Sequence, residues 1–294
     1  MDIFIYTVSY LKYLSLFGMI GIITGQTFLQ YFSLFVFAAF FEILLTLRTS
    51  LQSIYSLVSC LYLEKKYKNC FPSIESYEQS NTYLLPFEGE WTVFNGGTSV
   101  VTSHSWDVIP QRYAYDFIIT DSANNSFKDN GKTNSNYYCF EKNILAPADG
   151  TVISVFDECA DNKILPFGLI NRYINDIRGN YVVIKHCGDE FSVLAHLRQG
   201  SVKVTKGQLV KRGDIIAKCG NSGRSSEPHL HFQVQRGSNF FSSIGLPVKF
   251  SNFSNCNQEV TTGYIEKGMA INNLATTHVA RERLLERIPS SYPK

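Results

Sequence analysis

The chain has 294 residues, with 27 Lys and Arg against 25 Asp and Glu, a formal charge of +2. This near-balance gives no electrostatic basis for a nucleic-acid partner or a strongly acidic one. The length suffices for an anchoring region and one or two compact domains.

From Tyr13 to Phe41 there is no Asp, Glu, Lys or Arg, and Leu, Ile, Phe and Gly dominate. A bilayer span needs about 20 such residues. The run exceeds one span, and Thr24-Gly25-Gln26-Thr27 can turn the chain between two helices. A secretory signal has an apolar core of only about 7–15 residues, followed by a small-residue cleavage site; no convincing site follows here. A buried helix pair of a soluble protein is the other reading of the same pattern. Leu51, Ile54, Tyr55, Val58, Leu61 and Tyr62 then recur at helical spacing, which suits an interfacial helix or a short span. Residues 1–68 therefore read as a membrane-anchoring helical region with one or two spans plus an interfacial helix. Arg48, Lys65, Lys66 and Lys68 flank it, and the positive-inside tendency places them in the cytoplasm.

Residues 69–82 are polar without periodicity and read as a linker. From Tyr83 onward, short β-rich runs alternate with Gly, Asn, Asp and Pro, the pattern of an all-β domain over 83–268. Strands are predicted at Tyr115–Ile119, Gly150–Phe156, Tyr181–His186, Glu190–Leu197, Leu209–Lys218 and His229–Gln235. Turn chemistry separates them at Ala148-Asp149-Gly150, Gly188-Asp189, Lys206-Gly207 and Arg212-Gly213-Asp214. Asp121–Asn136 reads as an exposed loop. Residues 269–294 form a tail predicted helical from Met269 to Ile288, with Arg281, Glu282, Arg283, Glu286 and Arg287 on a solvated face. The seven cysteines include no C-x-x-C pair, which argues against a structural zinc knuckle. Free packed thiols and disulfides both fit the rest.

The six histidines carry most of the chemical information. His229 and His231 form H-x-H, and on a strand residues i and i+2 point to one face. Neutral imidazoles so placed can bind zinc or divide ligand and catalytic roles. His196 lies in the apolar run Leu194-Ala195-His196-Leu197. Asp116 lies between aromatics in Tyr115-Asp116-Phe117, where a buried acid is costly unless paired or ligated. A shared site explains the four better than four separate accidents.

The segment Gly213-Asp214-Ile215-Ile216-Ala217-Lys218-Cys219-Gly220-Asn221-Ser222-Gly223, followed by Pro228-His229-Leu230-His231-Phe232, resembles the G-D-x-I-A-x-x-G-x-S-G…P-H-L-H-F signature of the M23 (lysostaphin-type) metallopeptidases. Ala146-Pro147-Ala148-Asp149-Gly150-Thr151-Val152 is similar to the family's A-P-A-D-G-x-V hairpin, and Asn180 to His186 to its G-N-x-V-x-I-x-H strand pair. The resemblance covers roughly residues 94–250. It implies a mainly β, antiparallel two-sheet domain of the duplicated-hybrid-motif or barrel-sandwich kind, here behind an N-terminal transmembrane region. It also implies Asp116 and His231 as zinc ligands, with His196 and His229 as catalytic histidines that are not ligands.

One ligand departs from the pattern. The family commonly has H-x-x-x-D, and Arg112 stands where that histidine would be. A guanidinium stays protonated and cannot replace a neutral nitrogen ligand. His104, twelve residues before Asp116, is the candidate third ligand; without it the domain reads as a degenerate module that binds peptidoglycan or activates a partner hydrolase. Three protein ligands with an open position make a catalytic zinc site. His229 is assigned as general base and His196 as hydrogen-bond partner of the oxyanion, with the roles interchangeable. The expected substrate is the peptide of cell-wall peptidoglycan, so the domain is expected outside the cytoplasm, against the flanking charges. His186 is read as structural and His278 as a surface residue. The hairpins also echo lipoyl and biotinyl carriers, but no lysine sits on the required turn, and the histidines would be unexplained.

Overall fold

The computed structural model describes residues 10–68, 70–171 and 173–274. Helix α1 (Ser15–Thr24) stops at Gly25, whose φ of 72° forms a left-handed cap. The chain reverses through short helical turns into α2 (Val36–Tyr67). The two arms touch because glycine lies at the contact: a Cβ on Gly18 would meet the Ser33 backbone at 2.2 Å. Lys12 pairs with Glu42 across the hairpin. Phe17, Ile20, Ile23, Phe28, Phe37 and Leu44 point outward, an apolar skin larger than soluble surfaces ordinarily expose. The helical run Thr27–Tyr67 is long and apolar enough to cross a membrane.

The predicted stripe Leu51, Ile54, Tyr55, Val58, Leu61 and Tyr62 remains exposed along α2. The opposite face packs on the β domain, where Cys60 and Leu63 are buried with Ile109 and Ile244.

Thirteen strands follow among the described residues: β1 (Glu90–Asn95), β2 (Tyr115–Ile118), β3 (Asn143–Leu145), β4 (Gly150–Phe156), β5 (Asn180–Lys185), β6 (Glu190–Leu197), β7 (Leu209–Val210), β8 (Ile215–Lys218), β9 (Leu230–Arg236), β10 (Ile244–Leu246), β11 (Phe250–Asn255), β12 (Gln258–Gly263) and β13 (Ala270–Asn273). The large sheet runs β12-β11-β13-β1-β2-β9-β6-β5-β4-β7 with β10 beside β9, and β3 pairs with β8 in a second, small sheet. All pairings between these strands are antiparallel. Between the sheets lies a core built on Trp91, Tyr83, Phe87, Phe117, Phe232 and Phe250. The domain is therefore mainly β, as its alternating pattern predicts.

Three expectations need correction. The run Leu209–Lys218 is two strands, because Lys211 N–H donates to the Asp214 carboxylate and closes a turn between them. The tail is not helical at its start, since Ala270–Asn273 pairs with β1 and β11; the remainder of the helical prediction, and His278, lie outside the described residues. The linker is strapped to the domain. Buried Glu190 accepts hydrogen bonds from Ser80 N–H at 2.6 Å, Asn81 Nδ2 at 2.7 Å and the Tyr83 hydroxyl at 2.8 Å, and also pairs with Tyr77.

Burial alone would raise the Glu190 pKa, but these donors hold it below the ordinary value. A depressed folded-state value means stabilisation that is complete above about pH 4.3 and fades as pH falls through the native value. Glu190→Ala should cost about 3 kcal/mol, since it strands several buried donors. In urea unfolding followed by tryptophan fluorescence, the variant should also show a smaller loss of stability on acidification than the wild type.

Candidate metal centre

The site lies on neighbouring strands of the large sheet. On β9, Leu230, Phe232 and Val234 enter the core, so the alternation of the strand turns His231, Gln233 and Gln235 to the other face. Register places Asp116 of β2 directly opposite His231, with Ala195 of β6 on the other side. Asp116 and His231 are therefore brought together by strand pairing, although 115 residues separate them in sequence.

His196 arrives differently. Simple alternation would turn it away from a face already occupied by Ala195. Its φ of 60° is left-handed, unusual for a residue with a Cβ, and swings the imidazole round into the cleft. The conformation is held by three hydrogen bonds. His196 N–H donates to Arg178 O at 2.9 Å and its carbonyl accepts from Gly220 N–H at 3.1 Å. Its Nδ1–H donates to Ser222 O at 2.8 Å. His229 precedes β9 and is fixed by Nδ1 against Glu227 O at 2.9 Å and Ser225 Oγ at 3.0 Å. Both rings thus turn Nε2 toward the cleft.

His104 sits on the loop between β1 and β2. Ser103 Oγ donates to Arg112 O at 2.6 Å, pinching the loop across its base. Arg112, the residue at the departing position, faces away from the cluster. Its Nε donates to Trp106 O at 2.9 Å, and its guanidinium lies 4.8 Å from the Trp106 ring centre and 5.0 Å from that of Phe71. Arg112 braces the loop that presents His104.

The three candidate ligands converge. His104 Nε2 is 3.2 Å from Asp116 Oδ2, and His231 Nδ1 is 3.0 Å from Asp116 Oδ1. One donor atom from each lies within 4.8 Å of the other two. Two imidazole nitrogens and a carboxylate so gathered are a donor set that could hold a metal ion. Asn95 Nδ2 donates to Asp116 Oδ2 at 3.3 Å, and His229 Nε2 lies 3.6 Å from Oδ1.

The electrostatics agree. Burial would raise the Asp116 pKa, but the charge and hydrogen bond of His104, with His229 and His231 beside them, hold it well below the carboxylate range. Burial would lower that of His104, yet the Asp116 charge and hydrogen bond raise it. Burial, then the neighbouring His229 and His231, push His196 well below the usual imidazole value. Both effects favour the neutral ring at His196.

All five predicted residues line one cleft of about 680 Å³. His186 lies elsewhere, bonded to Asp149 O and Ser192 Oγ at 2.8 Å each, as a structural histidine. All seven cysteines are free thiols. Sequence reasoning missed the wall contributed by α2, where Ser53, Ser56, Leu57 and Cys60 border the same cleft. Gln52 fastens this wall, donating to Asn175 O at 3.2 Å and accepting from Ile177 N–H at 3.1 Å. It also missed Gln233 and Gln235, whose signal was the alternation H-x-Q-x-Q.

Residues 137–242 match the model of peptidase family M23. That segment of the β domain is similar to the family. The match includes His196, His229 and His231 and begins beyond His104 and Asp116. The chain is 37% identical over 90 residues to an uncharacterized metalloprotease of Haemophilus influenzae, across 31% of this chain and 15% of that protein. It is 48% identical over 56 residues to the peptidoglycan DD-endopeptidase ShyB of Vibrio cholerae, across 19% of this chain and 13% of that one. The chain thus matches only a small part of the length of these relatives. The catalytic domain of lysostaphin from Staphylococcus simulans aligns with 54% of this chain and 88% of its own at 16% identity and a TM-score of 0.31.

The cluster yields a direct test of its third member. His104→Ala should weaken zinc binding by more than about 100-fold, the upper range for losing a mere outer partner of a ligand. Competition titration against a chromophoric chelator reads this. An affinity equal to wild type would make His104 a bystander.

Proposed function

We propose that the M23 domain is a zinc-dependent endopeptidase that cleaves peptide bonds in cell-wall peptidoglycan. The observation that carries this reading is the pair of bare Nε2 atoms of His196 and His229 beside a three-donor metal cluster in one cleft. A zinc ion held by His104, Asp116 and His231 would polarise the scissile carbonyl and supply a water acidified toward about pH 7.

The histidines divide the remaining work. His196 has its only N–H committed to Ser222 O and stays neutral, so its Nε2 can only accept. It takes the proton of the attacking water and returns it to the leaving amine. His229 has its Nδ1–H committed to Glu227 O in the same way, so it would hydrogen-bond the carbonyl oxygen only as an imidazolium, as negative charge develops there. This exchanges the roles first assigned from sequence. The degenerate-module reading is motivated by Arg112 at the usual histidine position, and about one zinc per purified chain, lost in His231→Ala, would exclude it.

The substrate assignment rests on the peptidoglycan endopeptidases among the relatives. The apolar helical hairpin supports a membrane anchor, with the domain on the side where peptidoglycan lies. On this reading the cleft stays close to the bilayer. Ser53 and Cys60 of its wall follow Arg48 by five and twelve residues, about 8 and 18 Å along a helix.

The full-length chain in detergent should release new amino termini from purified muropeptides, and a chelator should abolish the release. His196→Ala should retain zinc and lose about 10²–10⁴-fold in rate, whereas Asp116→Ala should lose zinc and activity together. Mass spectrometry of the digest identifies the bond. Undiminished cleavage by His196→Ala would remove it from the mechanism.

A further inference from the structure

Resting on the metal reading above, we propose that Gln233 is the positioning residue of the centre: it fixes the tautomer of His231 and ties that ligand to the loop that carries His104. Gln233 and Gln235 have no exposed surface, an unusual composition for a strand whose other face is a continuous apolar core. They form a directional chain. Gln233 Nε2 donates to Pro110 O at 3.0 Å and to Gln235 Oε1 at 2.6 Å, and Gln235 Nε2 donates to Gly237 O at 2.8 Å. The fourth contact joins Gln233 Oε1 to His231 Nε2 at 3.0 Å.

The direction of this chain follows from its ends. The Pro110 and Gly237 carbonyls can only accept, so both amides must turn their NH₂ groups toward them. Gln233 Oε1 is then the atom facing His231 and can only accept in turn. His231 Nε2 must carry the hydrogen, which in the neutral ring leaves Nδ1 as the nitrogen with a lone pair toward the cluster.

Without Gln233 the opposite tautomer would be preferred. Nδ1 lies 3.0 Å from Asp116 Oδ1, so an unrestrained ring would donate Nδ1–H to that carboxylate. The pair would close on itself and neither atom would be free to ligate. Outer partners that fix a ligand tautomer in this way commonly raise metal affinity by about 10–100-fold.

The bond to Pro110 adds a second effect. Pro110 lies in the turn Ile109–Gln111, on the same loop as His104. One buried amide therefore connects a ligand set by strand register to a ligand delivered by a loop. That connection matters here because His104 stands twelve residues from Asp116 rather than four.

The test uses the full-length chain in detergent, metal-free, with ¹⁵N-labelled histidine and the His231 signal assigned by its loss in His231→Ala. Long-range ¹H–¹⁵N spectra should show Nε2 protonated in the wild type. Gln233→Met removes acceptor and donor together; its His231 should switch to Nδ1–H, and its zinc Kd should weaken about 10–100-fold. Gln233→Glu keeps the acceptor but cannot donate to Pro110. It should retain the Nε2–H tautomer and zinc affinity near wild type, while amide exchange over 103–112 accelerates; this variant carries the test should methionine prevent folding. A bare Nε2 in the wild type, or Gln233→Met binding zinc within twofold of a zinc-binding wild type, would overturn the positioning role alone. A wild-type chain that binds no zinc would overturn the metal reading and the proposal with it.

Discussion

The structure around the cleft depends on one buried charge. Asp116 is 6% exposed and faces His104, His229 and His231. An ionised carboxylate at this depth is untenable alone, and each surrounding feature can be read as answering it. Strand register supplies His231, a braced loop supplies His104, and Asn95 supplies a neutral donor. His196 stands apart from the three donors His104, Asp116 and His231, held in a left-handed conformation with Nε2 toward the cleft.

How much of this was legible in sequence differs by mechanism. Asp116 and His231 could be found because both stand in apolar β runs where a polar side chain must be accounted for, and because strand alternation is a simple code. His104 was harder, since a loop position carries no periodicity; it was reached through the arginine that stands where the histidine usually is. What the sequence could not reveal was the purpose of that arginine. Its aromatic partners Trp106 and Phe71 lie on separate segments, and only the fold brings them under one guanidinium. The resemblance assigned His196 to the cluster, whereas alternation alone would have pointed it elsewhere. The positive φ that resolves this is set by tertiary hydrogen bonds to Arg178, Gly220 and Ser222.

The larger misreadings have the same origin. The polar segment before Tyr83 resembled a free linker because its tether, Glu190, is more than 100 residues away. The second half of α2 showed its exposed stripe in sequence, but not that its opposite face borders the cleft. That face mixes Ser53, Ser56 and Cys60 with the apolar Leu57, and no pattern marks it. The apolar hairpin and the β domain are thus joined through a wall of the cleft, so a displacement of α2 would alter its width.

X-ray absorption at the zinc K-edge of the purified full-length chain tests the central claim most directly. Two imidazole nitrogens, one carboxylate oxygen and one further light atom at about 2.0–2.1 Å are predicted. A first shell containing sulfur, or a protein that takes up no zinc while folded, would contradict the assignment of His104, Asp116 and His231 as a metal centre.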